Sequence, residues 1–124
     1  MDSSTKVDFI NAFRPRTKAA ALRVIKLYQS LPQTGEAPVV GKQLLRSATS
    51  VAANYRAVCL ARSAKEQYAK RCVCVEEADE SQLRLEILRE SGIISKTNLT
   101  GLEQEYLEIV SVLEKARGTH KGKE

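Results

Sequence analysis

Apolar residues in this chain return every three or four positions, in four stretches set apart by helix breakers. That rhythm is the signature of amphipathic helices, and no stretch alternates as a strand would. The first carries Ala21/Leu22, Ile25, Tyr28 and Leu31. Pro15 suits a first helical position, so the spacing predicts a helix from about Arg16 to Leu31, preceded by an N-terminal arm over residues 1–15. Pro32 stops it, and the Pro32–Pro38 segment with Gly35 reads as a loop. A second helix is expected from about Val39 to Arg62 on Val40, Leu44/Leu45, Ala48, Val51/Ala52, Tyr55 and Val58/Cys59. Ser63 followed by Glu66 forms a capping box, so a third helix begins there after a tight turn. Its seam is Cys74, Ala78, Ser81, Leu85 and Leu88, and Gly92 ends it near Ser91. A fourth helix starts between Ser95 and Thr100 and runs to about Arg117 on Leu99, Leu102, Tyr106, Ile109/Val110 and Leu113. Residues 118–124 read as a disordered polar tail. Short connections predict one all-α domain over residues 16–117, an antiparallel up-down-up-down four-helix bundle.

Six aromatic residues, no tryptophan and few glycines argue against a β-sandwich or a collagen-like chain. No apolar run approaches the roughly 20 residues of a membrane helix, and the first residues show no signal-peptide pattern. A cytoplasmic protein without a membrane partner is expected. Cys59, Cys72 and Cys74 then read as reduced core thiols. The single histidine, His120, lies in the polar tail, so no metal site is expected. There is no GxGxxG, P-loop or GxSxG motif. Glu77, Glu80 and Arg84 share a helix face, but carboxylates matching a basic partner helix are structural. We therefore expect no catalytic residue, no cofactor and no enzyme.

The second helix lacks the charged back of a solvated helix. Opposite Tyr55 stand Arg46, Ser50, Ala53, Ala57 and Ala61. Cys72, Val73, Val75, Leu83, Ile87, Leu107 and Val112 fall outside the best seams of the last two helices. Two-sided burial follows, and with it a homo-oligomer whose interface includes Ser50, Ala53, Ala57 and Ala61.

The net charge of +5 divides unevenly, with +9 on residues 1–71 and −4 on residues 72–124. One explanation is helix pairing, with Arg46, Asn54, Glu77, Asp79 and Glu80 as a structural polar network. A turn at Arg62–Ser63 puts Arg46 level with Asp79. The other is an anionic partner such as RNA, contacted through phosphates by Arg14, Arg16, Lys18, Arg23, Lys26, Lys70 and Arg71. No RNP motif or zinc knuckle accompanies these residues.

The stretch QLLRSATSVAANYRAVCLARSAKEQYAK and the later EEADESQLRLEILRESGIIS resemble a bacterial four-helix-bundle family. It is named after proteins encoded in intervening sequences of 23S ribosomal RNA. Arg46, Ser47, Ser50, Val51, Asn54 and Tyr55 match its second-helix signature, and Ala61-Arg62-Ser63 its hairpin. Glu77, Ala78, Glu80, Leu85, Leu88 and Gly92 match its third helix, and the likeness spans roughly residues 18–115. The family is similar to the accessory proteins of diversity-generating retroelements, basic pentameric bundles that associate with a reverse transcriptase and nucleic acid. The resemblance implies a cytosolic homopentameric ring without enzymatic activity, with RNA or a nucleic-acid enzyme as partner. Gln67 and Arg71 depart from the family's aromatic and aliphatic residues, which implies a more polar hairpin end. Two functions follow: an oligomer associated with nucleic acid, or a protein-binding scaffold or accessory subunit with no nucleic-acid role.

Overall fold

The computed structural model describes the backbone of residues 3–122 and the side chains of residues 10–116. Four helices make up the fold: α1 (Ser3–Ser30), α2 (Ala37–Cys59), α3 (Ala64–Glu90) and α4 (Lys96–Gly122). No strand occurs among the described residues. Each helix packs against its neighbour in sequence, and α1 and α4 touch only lightly.

The start of α1 corrects the expected arm. The helix runs from Ser3 straight through Pro15. Proline lacks the N–H that would bond the Asn11 carbonyl, and its ring opposes a helical turn. Asn11 is exposed, so water can serve that carbonyl. Tertiary contacts hold the segment in place. Phe13 is buried edge-on against Tyr55, with ring centroids 5.1 Å apart. The Tyr55 hydroxyl donates to the Ile10 carbonyl at 2.9 Å. Extending α1 resets its phase: the buried face is Phe13, Thr17, Ala20/Ala21, Val24 and Leu31. Ile25 is only half-buried and Leu22 is exposed. At the other end, α4 continues to Gly122 rather than stopping at Arg117; side chains 117–124 lie outside the described residues.

The expected seams of α2, α3 and α4 form the core. Leu44, Ala48, Val51, Tyr55 and Val58 meet Cys74, Ala78, Leu85 and Leu88, with Leu99, Leu102, Tyr106, Ile109 and Leu113 closing the far side. Val75, expected outside the seam, is buried with them, and half-buried Val112 packs against the same core. Two hydroxyls cross the α2–α3 contact, Ser81 donating to Ser47 at 2.8 Å while Ser47 donates to the Leu44 carbonyl. Ser63 caps α3, accepting from the Glu66 N–H at 3.1 Å. The Glu66 carboxylate reaches back to the Arg62 N–H, one residue before the usual capping-box partner. Gly92, at φ +80°, ends α3 by donating to the Arg89 carbonyl. Gln67 donates to the Val58 carbonyl at 3.3 Å, so its polarity serves the end of α2.

Gly41 brings α2 close to the end of α1. A Cβ there would lie 2.5 Å from Leu31 Cδ1 and 2.9 Å from Tyr28 Cδ2. Leu31 is buried, so it has little room to retreat. Gly41→Ala is expected to destabilise the fold: overpacking costs about 1–3 kcal/mol, and the gain in helix propensity returns only about 1 kcal/mol. Thermal unfolding checks this, and a higher Tm would contradict it.

Candidate nucleic-acid interface

The basic residues of α1 do not form one patch. At 100° per residue, Arg14 and Lys18 share one edge, while Arg16 and Arg23 share the opposite one. Arg16 is committed to α4. Its guanidinium donates to both Glu105 oxygens at 2.8 and 2.9 Å and to Glu108 at 2.8 Å, and lies 5.8 Å from the Phe13 ring centroid. The Glu105 hydrogen bonds raise the Arg16 pKa further. Hydrogen bonds from Gln104 and Arg16 lower that of Glu108. Arg23 packs on α4 where Gly101 has no side chain; a Cβ there would lie 3.2 Å from its Nη2. Lys26 is exposed.

Arg14 and Lys18 instead face a groove between α1 and α2 of about 530 Å³. Ala52 and Ala53 line it, and Arg56 stands on its α2 side. Sequence reasoning missed Arg56. The height relation used for the α2–α3 hairpin, applied about the 31–36 connection, places it level with Asn11, within one turn of Arg14. Ala53, expected at an oligomer interface, is exposed and belongs to this groove, whereas Ser50, Ala57 and Ala61 are half-buried. Among the described residues, no ion pair engages Arg14, Lys18, Arg56, Lys70 or Arg71. Arg71 and Lys70 lie half-buried early in α3.

The polar network is smaller than expected. Arg46 donates to Glu77 at 3.2 Å and Glu80 at 3.0 Å, and Arg84 shares Glu80 at 3.2 Å. Asp79 is exposed, and Arg46 meets Glu77 and Glu80 instead. Asn54 bonds within its own helix, donating to the Ser50 carbonyl and hydroxyl at 3.0 Å. Across α3 and α4, Arg89 pairs with Glu103 at 2.9 Å.

Burial pushes the Cys59 and Cys74 thiols up, Cys74 to about 12. The charges of Arg14, Arg71 and Arg56 oppose the shift at Cys59. Cys74 is fully buried and Cys72 is half-buried. With a thiol reagent at pH 8, Cys72 is expected to react in the native protein and Cys74 only on unfolding; early labelling of Cys74, read by mass spectrometry, would contradict this burial.

The profile of the 23S rRNA-intervening sequence protein family matches residues 14–115. The chain belongs to this family. The match takes in α2, α3 and most of α1 and α4, and therefore both sides of the groove. Its fold is similar to a crystal structure from Bacteroides thetaiotaomicron, described as a protein with unknown function from the S23 ribosomal protein family. The two share 28% identity and a TM-score of 0.81, over 88% of this chain and 97% of that one. No match was found among curated proteins. No helix among the described residues is long and apolar enough to cross a membrane.

Proposed function

We propose that this member of the 23S rRNA-intervening sequence protein family is a non-enzymatic, cytoplasmic homo-oligomer that associates with nucleic acid through phosphate contacts. The observation that carries this reading is the division of the basic residues. Arg16, Arg46 and Arg89 are neutralised by carboxylates of the same chain, while Arg14, Lys18 and Arg56 surround one groove without such partners among the described residues. Intramolecular helix pairing therefore accounts for only part of the charge asymmetry.

The subunit is proposed as an antiparallel bundle. The contacts Ser47–Ser81, Val51–Cys74 and Val58–Gln67 support this, since numbers rise along α2 as they fall along α3. A pentameric ring is what the family likeness implies. Exposed Val73, Leu83 and Ile87 on α3 and Leu107 on α4 support an apolar subunit contact. These same side chains favour the second reading, a scaffold that binds another polypeptide and no nucleic acid.

Binding of the purified full chain to a structured RNA and a duplex DNA at low salt separates the two. The nucleic-acid reading expects a shift with both parent and scrambled sequences, because no base-reading motif is present. Failure to bind either would leave the scaffold reading.

A further inference from the structure

We propose that the groove between α1 and α2 clamps the phosphodiester backbone of a double-stranded nucleic acid, with Arg14, Lys18 and Arg56 on phosphate oxygens. The inference rests on the nucleic-acid reading above and names its site and substrate form.

Arg14 and Lys18 are one helical turn apart, about 6 Å along α1. They share an edge of α1 and face Arg56 across the alanine floor. Short side chains at Ala52 and Ala53 keep the floor low, so a backbone strand can settle between the cations. Among the described residues, no carboxylate lines the groove. A concave wall carrying one sign of charge concentrates the field on an incoming anion.

The aromatic residues decide between a duplex and a single strand. Single-strand platforms stack splayed bases on aromatic rings. Among the described residues, Phe13, Tyr55 and Tyr106 are buried, Tyr28 and Tyr68 are half-buried, and no aromatic side chain lines the groove. A duplex keeps its bases stacked internally and offers phosphates outward, which is the chemistry this surface can meet. Asn11, exposed at the groove's edge, has an amide that can donate to or accept from a ribose 2′-hydroxyl.

The test compares the native chain, the triple variant Arg14→Gln/Lys18→Gln/Arg56→Gln, and the control Arg23→Gln/Lys26→Gln from the opposite part of α1. The probes are an RNA duplex of about two helical turns, the DNA duplex of the same sequence, and each single strand, titrated by fluorescence anisotropy across a salt series. The triple variant is expected to bind duplex at least tenfold more weakly. Its salt slope should shrink by about 2–3, at roughly 0.9 per lost phosphate contact. The control is expected to change affinity less than threefold. Whichever duplex binds more tightly identifies the source, and either supports the site. Arg56→Glu alone, with helicity checked by circular dichroism, gives the same direction if the triple variant folds poorly. Equal losses in the triple variant and the control would overturn the groove while leaving nucleic-acid binding intact. Tighter binding of single strands than of both duplexes would overturn the substrate form. A native chain that binds no probe at the lowest salt would overturn the function itself, and this inference with it.

Discussion

Leu85→Ala is expected to lower the free energy of unfolding by about 2–5 kcal/mol. Leu85 is fully buried on α3, the helix that packs extensively against both α2 and α4. Truncation there removes apolar contacts and leaves a cavity that flanking helices can collapse into only in part. Small domains are stable by about 5–15 kcal/mol in all, so this is a large share. A fall in Tm of roughly 10 °C or more is expected in a thermal melt. Leu60, at the C-cap of α2, is 68% exposed. Leu60→Ala is therefore expected to cost only about half a kcal/mol. Equal losses at the two positions would contradict the core described above.

Ala57→Glu is expected to split the proposed oligomer while leaving its helices formed. Ala57 is half-buried within the single chain, on a face of α2 whose residues from Ser50 onward, Ser50, Ala53 and Ala57, are all small. A small residue lets a neighbouring helix come close, and glutamate would place a desolvated charge in that contact. Glutamate is also a good helix former, so the helix itself loses little. Sedimentation should show the native chain as an oligomer and the variant as a smaller species with nearly unchanged circular dichroism. A native monomer, or a variant that sediments like its parent, would contradict two-sided burial of α2.

The elements that sequence made legible are those governed by local chemistry. The α2 and α3 seams, the Ser63 cap and the Gly92 stop each depend on spacing or on one backbone conformation. The start of α1 depends on partners far away in sequence. Pro15 taken alone marks a beginning, whereas Phe13 against Tyr55 and the Tyr55 bond to Ile10 hold the helix through it. The same contacts help set which face of α1 is buried, with Val24 rather than Ile25 in the core. At the candidate site, composition marks α1 as basic but does not say which of its cations a carboxylate engages. Arg16 reads as a free cation until Glu105 and Glu108 are seen to meet it. Height along the hairpin placed Arg46 beside the acidic run, yet height does not say which carboxylate faces inward. Glu77 and Glu80 do so, and Asp79 does not. Arg56 needed the same relation applied to a second helix pair.

The proposed association with nucleic acid rests on phosphate contacts without base reading. It is tested most directly by the native protein's affinity for a duplex between 50 and 200 mM salt, a range over which six to ten phosphate contacts cost about 10³–10⁵ in affinity. A straight fall of log affinity with log salt is expected, of the same slope for unrelated sequences. Affinity that holds constant across that range, or that depends on sequence rather than salt, would contradict it.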